Sequence, residues 1–419
     1  MMGRVVVMVL CVLVRACALE GTPSSASVDT LVEKYLGGWT SKPQALNESA
    51  LTLLVQTAEK CHELQRVIMS EGKAHFLQDS LCAQQRQQQR EKGKAKFVVL
   101  TQRHMARVAQ SCGSSIKFVD FVVNLRDEPA QKAQQGEHPG RTGGTGTGSD
   151  SGTHAAPPLF SFQTRRGYLD VPIEYSVDAY NDALHEFVTN VTRQVAGDPA
   201  SFAWDKRVPK LFWRGSQTGG MYGLDNWESF PRSKLVLLSQ QRPALIDAGF
   251  TAWTQVFPRA RKRMVQVLGR LSEFVDMGEH WRFKYLASLD GNGWANRLPF
   301  LLATGSLVFK QESEFSAWWY PYLKAWEHYV PLPADMNAAG VEEALAWAAA
   351  HDQEARRMAR AGQQLVSSLL QDESVHNHYM CALLGQYQDI QSPGLTSQAG
   401  RDLTQMLVRK YGSRQPLGA

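Results

Sequence analysis

Short apolar runs, rich in β-branched and aromatic residues, alternate with amphipathic stretches along most of the chain. Phe97-Val98-Val99-Leu100 and the run from Phe118 to Leu125 read as short buried strands, nearly free of charge. After residue 200 the alternation sharpens. Leu211 to Trp213 reads as strand, Leu235 to Leu245 as helix, Tyr285 to Leu289 as strand, Trp294 to Ala303 as helix, Ser306 to Lys310 as strand, and Trp318 to Leu323 as helix. Alternating strand and helix predicts parallel sheets covered on both faces, hence an α/β fold. Ten of the eleven Trp follow residue 200, so the second half carries the denser aromatic core. The division expected is an N-terminal lobe at 46–180, a C-terminal lobe at 181–370, and a helical segment at 371–412 that packs back on the N-terminal lobe.

Breaks in the pattern mark what lies outside these lobes. Arg4 is followed by ten uncharged residues, Val5 to Val14, and then by Ala16-Cys17-Ala18, which reads as a signal peptide over 1–18. Ten apolar residues cannot cross a bilayer core that needs about 20, and no later segment comes closer, so no transmembrane span is expected. Residues 19–45, with Gly21-Thr22-Pro23-Ser24-Ser25, read as a poorly ordered lead-in. Gln84 to Lys96, almost entirely Gln, Arg and Lys, reads as a solvated helix face. From Gly136 to Gly152, seven of seventeen residues are Gly, the composition of a loop with nothing to bury.

Composition narrows the function. The 419 residues are 43% hydrophobic and 20% charged, ordinary globular values that exclude wholesale disorder. A net charge of +5 is too small to imply nucleic acid as a partner and leaves small anionic ligands open. Four of the six Cys follow the signal, Cys61, Cys82, Cys112 and Cys381, an even number that allows three pairings in an oxidising lumen. Two glycosylation sequons, at Asn47 and Asn190, suit the same compartment. The chain has no G-x-S-x-G, no P-loop, no H-E-x-x-H and no complete G-x-G-x-x-G, so the usual hydrolase, NTPase, zincin and dinucleotide signatures are missing. His376, His378 and Cys381 form a weak metal pattern on an amphipathic helix, and Asp290-Gly291-Asn292-Gly293 fails as a calcium loop because Trp294 replaces an oxygen ligand.

Two segments carry a phosphate logic. In Lys210 to Thr218 an apolar strand ends in Arg214, then Gly215, Ser216 and Thr218: a cation, a close-approach glycine and two hydroxyls at the strand end where α/β sheets bind ligands. In Tyr285 to Arg297 a second strand runs into a Gly-containing turn and then a helix, with Arg297 beside its first N–H groups. Backbone donors and a guanidinium suit a diphosphate. The plain alternative makes Arg214 and Arg297 partners of nearby carboxylates.

Together these segments resemble a family. Arg214-Gly215-Ser216-x-Thr218, Leu235-Val-Leu-Leu-Ser239, Leu245-x-Asp247-Ala248, Lys284-Tyr-Leu286, Asp290-Gly-Asn-Gly-Trp294, Arg297, Gly305 to Lys310 and His328-Tyr-Val-Pro331 follow in order. They are similar to the capsule-associated and Rumi-type protein O-glucosyltransferases, glycosyltransferase family 90. The resemblance implies a GT-B architecture, with two Rossmann-like lobes facing a cleft, and an inverting transfer from a UDP-sugar. It implies no cofactor and no metal, which suits the absence of any Asp-x-Asp. Protein donors then neutralise the leaving diphosphate: Arg214, Ser216 and Arg297, with Gly215 and Thr218 beside them and Asn292, Gly293, Trp294, Ala295 and Asn296 lining the pocket.

The same resemblance places a catalytic base at Asp127, in Asn124-Leu-Arg126-Asp127-Glu128-Pro129, with Glu128 as the fallback. On the acceptor side Asp170 is retained, but the expected Trp is missing and Tyr175 stands as the candidate aromatic platform. The expected activity is transfer of glucose or xylose from UDP-glucose or UDP-xylose to Ser or Thr of a protein, in the endoplasmic reticulum or Golgi lumen or after secretion. A glycan-directed xylosyltransferase is the alternative enzyme, and a sugar-binding relative without turnover is the alternative class.

Overall fold

The computed structural model describes residues 25–36, 51, 64–77, 95–125, 157–168, 170–173 and 178–414. In chain order the first elements are α1 (Ser25–Leu36), β1 (Leu64–Ser70), β2 (Lys73–Leu77), α2 (Ala95–Cys112), β3 (Val119–Asn124), β4 (Leu159–Ser161), β5 (Thr164–Arg165), β6 (Val171–Pro172) and α3 (Asp178–Gly197). Then come β7 (Val208–Ser216), α4 (Pro231–Gln241), β8 (Ile246–Ala252), α5 (Pro258–Leu268), β9 (Phe283–Ser288), α6 (Leu298–Ala303), β10 (Leu307–Gln311), β11 (Phe315–Ser316) and β12 (Val330–Leu332). The chain closes with α7 (Ala338–Ala350), α8 (Asp352–Leu365), α9 (Glu373–Gln391), α10 (Ser397–Tyr411) and β13 (Ser413–Arg414). The fold is α/β, and its described residues fall into two compact units.

One unit holds Pro23–Asn181, Phe315–Trp318 and Glu373–Ala419. Its six-stranded sheet runs β13-β2-β1-β3-β4-β6 and is mixed: β13, β2, β1 and β3 pair antiparallel, and β3, β4 and β6 pair parallel. The parallel sheet expected throughout is therefore wrong here. A β1–β2 hairpin supplies the antiparallel part, turning at Glu71 and Gly72, both with positive φ, as a two-residue hairpin loop requires. Phe97 to Leu100, expected as a strand, opens α2 instead. The continuing pattern of buried Met105, Val108, Ala109 and Cys112 has helical period, which a four-residue apolar run read alone does not reveal. The supposed lead-in at 19–45 contains α1, whose buried Val28, Val32 and Leu36 recur every fourth residue and meet α9. Cys112 of α2 and Cys381 of α9 form a disulfide. That thiol is thus occupied, and His376 packs edge-on against Trp318, 5.4 Å between ring centres. The signal segment, most of residues 84–96, the Gly-rich stretch, Cys61 and Cys82 lie outside the described residues.

The other unit holds Asp182–Glu314 and Trp319–Asp372. Its five strands, ordered β12-β10-β9-β7-β8, are all parallel, so every strand's C-terminal end lies on one edge. The core is aromatic and aliphatic, with Trp213, Tyr222 and Trp227 fully enclosed beside Leu235, Phe250, Leu307 and Phe309. Three helix boundaries differ from expectation, each at a proline. The helix expected to reach Leu245 ends at Gln241, because Pro243 excludes helical geometry from Arg242. The helix expected from Trp294 starts at Leu298, with Pro299 in its first turn. Trp318 to Leu323 is no α-helix; around Pro321 only the single turn Tyr320–Tyr322 forms.

Candidate functional site

Two of the segments singled out by sequence meet at the C-terminal edge of the parallel sheet. β7 ends in Arg214, Gly215 and Ser216, and β9 runs into the turn from Asp290 to Arg297. Arg297 Nη1 donates a hydrogen bond to the Arg214 carbonyl, and Asn292 Oδ1 accepts from Gly219 N at 2.9 Å. Inside the turn, Asp290 Oδ1 accepts from Ala295 N at 2.9 Å, and the Gly293 carbonyl accepts from Gly291 N at 2.9 Å. Glycine is required where the two segments touch. A Cβ on Gly215 would lie 2.6 Å from the Trp213 ring and 3.1 Å from Arg297 Nη2, and one on Gly291 would lie 2.5 Å from Thr218 Oγ1.

Strand alternation separates the two arginines. Arg214 points to the face of Phe212, over whose ring its guanidinium sits at 4.5 Å, and there it pairs with Asp247 at 2.8 Å and bonds the Asp247 carbonyl at 3.0 Å. Arg297 lies on the opposite face, over Trp213 at 5.4 Å. Apart from the bond to Arg214, its guanidinium has no hydrogen-bond or carboxylate partner among the described residues. Burial, with the Arg232 guanidinium nearby, brings its pKa down to about 9, so it stays cationic at neutral pH. The plain alternative thus fits Arg214, which is bound to a carboxylate, and not Arg297.

Around this pair stand three charged residues to which sequence assigned no role. Arg232, buried in the first turn of α4, donates to the carbonyls of Ser216 at 2.8 Å, Leu289 at 3.1 Å and Asp290 at 3.0 Å, and so ties the two strand ends together. Nothing local announces this. The sequence shows only a cation after Pro231, and its partners stand 16 and 57 to 58 positions away. Asp290 has its pKa raised by burial, against Lys310, Ser313, the Ala295 N–H and Arg232. Lys310, buried at the end of β10 and facing the rings of Tyr320 and Tyr329, has its pKa lowered by burial. His280 is buried edge-on to Phe212. Burial first, with Arg297 and Arg214 adding to it, pushes its pKa down to about 4.

The remaining candidates are placed as follows. Trp294 is buried against Trp319 and Tyr320, which makes it a prop for the turn, and Asn296 is exposed. Ser216 and Thr218 are half-buried; the Thr218 carbonyl accepts from the Tyr222 hydroxyl at 3.1 Å. Asp170 belongs to the mixed-sheet unit, where it is buried and accepts from Ser161 Oγ at 2.5 Å, while Ser161 Oγ accepts from Asn124 Nδ2 at 3.2 Å. Asp127, Glu128 and Tyr175 lie outside the described residues.

A family model described as glycosyl transferase family 90 matches residues 60–409. The chain belongs to that family. Among curated proteins it is similar to protein O-glucosyltransferase 2 of Danio rerio, 29% identical over 267 residues that make up 62% of this chain and 45% of that protein. It is similar also to human protein O-glucosyltransferase 1, 32% identical over 48% of this chain and 47% of the relative, and to human protein O-glucosyltransferase 3, 31% identical over 68% and 50%. The chain spans about half the length of the curated relatives it matches.

Proposed function

We propose that this chain is an inverting, metal-independent glycosyltransferase of the secretory pathway, built on a GT-B plan, that moves glucose or xylose from a UDP-sugar to Ser or Thr of a protein. The observation that carries this is Arg297: a half-buried guanidinium with no carboxylate partner among the described residues, at the strand-end edge of a parallel sheet, in a family of glycosyl transferases. A partly desolvated cation with open donors favours an anion over water, and a planar guanidinium matches phosphate oxygens. Hydroxyls of Ser216 and Thr218 and the backbone of the Asn292–Arg297 turn extend the donor site toward a diphosphate, while Arg214, held by Asp247, serves chiefly through its carbonyl on Arg297. The relatives' names favour glucose over xylose and protein over glycan as acceptor.

In the reaction, the acceptor oxygen attacks the anomeric carbon from the face opposite UDP. The C–O bond to the diphosphate breaks, and Asp127 takes the hydroxyl proton. On this reading Arg297 meets the developing charge on the leaving phosphate, and a donor fixed before the step avoids reorganisation during it. Among the described residues no helix is long and apolar enough to cross a membrane. Hydrolysis and transfer assays over a panel of UDP-sugars, with and without excess EDTA, test the proposal. Turnover with one UDP-hexose or UDP-pentose that survives EDTA is expected. Failure to bind any UDP-sugar would refute it, and loss of turnover restored by manganese would refute its metal-independent part.

A further inference from the structure

The segment that follows β8 concentrates charge to a degree found in no other described stretch. Helix α5 carries Arg259, Arg261, Lys262 and Arg263 within its first six residues, all exposed, and Arg270 follows. These five equal the chain's entire net charge; without them 40 Lys plus Arg stand against 40 Asp plus Glu. No acid occurs from Thr251 to Ser272, and none of the five makes an ion pair among the described residues. Asp225 and Glu228, on the adjoining loop, leave them unpaired. Cations in a helix's first turn oppose its dipole, so folding alone does not favour them there.

Three apolar side chains are exposed on the loops that lead into the helix: Phe257, at 52% exposure, directly precedes α5, and Met221 at 48% and Leu224 at 54% lie on the loop joined to it. Hydrogen bonds bind their two loops together, from Tyr222 N to the Gln255 carbonyl at 2.8 Å and from Phe257 N to the Tyr222 carbonyl at 3.0 Å. The same loops join the strand-end site. Gln255 N donates to the Gln217 carbonyl at 3.2 Å, and Gly219, one turn on, holds Asn292. Ser216 and Ala252 are register partners in parallel strands, so α5 starts from the sheet edge that carries Arg297.

We propose that Met221, Leu224 and Phe257 with Arg259, Lys262 and Arg263 form a docking surface for an acidic polypeptide segment that also bears apolar side chains. Mixed cations and apolar groups match such a segment better than a sulfated glycan, which has no apolar side chains, or a membrane, which a folded loop pair meets only at its tips. Resting on the glycosyltransferase reading, the segment belongs to the protein acceptor and brings it to the edge where the donor binds.

The test is fluorescence anisotropy with a short labelled peptide of Glu, Asp, Leu and Phe, beside its Gln and Asn counterpart, a heparin fragment and phosphatidylserine vesicles. The full chain should bind the acidic peptide and not the neutral one, more weakly as salt is added. The triple variant Arg259→Gln, Lys262→Gln, Arg263→Gln should bind it ~10-fold or more weakly, with a melting temperature no lower than that of the wild type and UDP affinity unchanged. Phe257→Ala, which leaves every charge, should weaken it severalfold. No binding by the wild type, equal binding by the triple variant, or preference for heparin or vesicles would each overturn the proposal. UDP binding and turnover without peptide binding would remove the docking surface alone. Peptide binding by a chain that binds no UDP-sugar would refute its assignment to an acceptor.

Discussion

Arg214 and Arg297 look alike in sequence, each a cation beside a glycine turn, yet they do different work in the structure. Arg297→Ala should weaken UDP binding by about 1.5 to 3 kcal/mol, the loss of one charge-assisted contact, with little change in melting temperature. Arg214→Ala breaks the ion pair with Asp247, whose carboxylate is 39% exposed, so it should cost about 1 kcal/mol of stability and less UDP affinity than Arg297→Ala. Calorimetry with UDP and melting curves on both variants separate the two roles. Asp127→Asn keeps the size of the side chain and removes the proposed proton acceptor. Single-turnover transfer should fall by ~10² to 10⁴ with UDP-sugar affinity preserved, and Glu128→Gln should leave the rate near wild type. A fully active Asp127→Asn would return that residue to a turn-capping role.

At the scale of elements, the junction of β7 with the β9 turn depends on backbone that approaches too closely for side chains. Gly215→Ala puts a methyl against the Trp213 ring and Arg297, so it should destabilise the protein by about 1 to 3 kcal/mol and weaken UDP binding by displacing Arg297. Chemical denaturation beside UDP calorimetry reads both effects. Much of this level was legible beforehand. β3, β7, β9 and β10 fall on the apolar runs that announced them, because an inward-facing strand must be apolar wherever it lies. The local pattern misleads where a short window hides the longer period, as at Phe97 to Leu100, or where a proline interrupts helical geometry, as at Pro243, Pro299 and Pro321.

For the whole molecule, buried histidine makes stability depend on pH. His280 has its folded pKa pushed down to about 4, below the unfolded value near 6.5, so it is neutral when folded and gains a proton when unfolded in acid. Its contribution is complete above pH about 6.5 and is lost as pH falls toward 4, by up to about 3 kcal/mol. Denaturation midpoints between pH 7 and 4 should therefore fall in the wild type and fall less steeply in His280→Gln. The disulfide acts at the same scale. Cys112 and Cys381 are 269 residues apart, and the double variant Cys112→Ala, Cys381→Ala should lose about 2 to 4 kcal/mol, read by urea denaturation of the oxidised wild type against the variant.

From the sequence alone came the α/β class, the strand ends bearing Arg214 and the Asp290–Arg297 turn, and the family, because periodicity, turn chemistry and motif order are written in neighbouring residues. Only the tertiary structure decided that Arg214 is held by Asp247 while Arg297 is open, that Arg232 ties the two strand ends, and that the other sheet joins three antiparallel pairings to two parallel ones. Those outcomes turn on which distant segments share a sheet edge and how deeply each charge is buried. Burial and partner set what a guanidinium can bind, and neither is a property of the residue or of its neighbours in the chain.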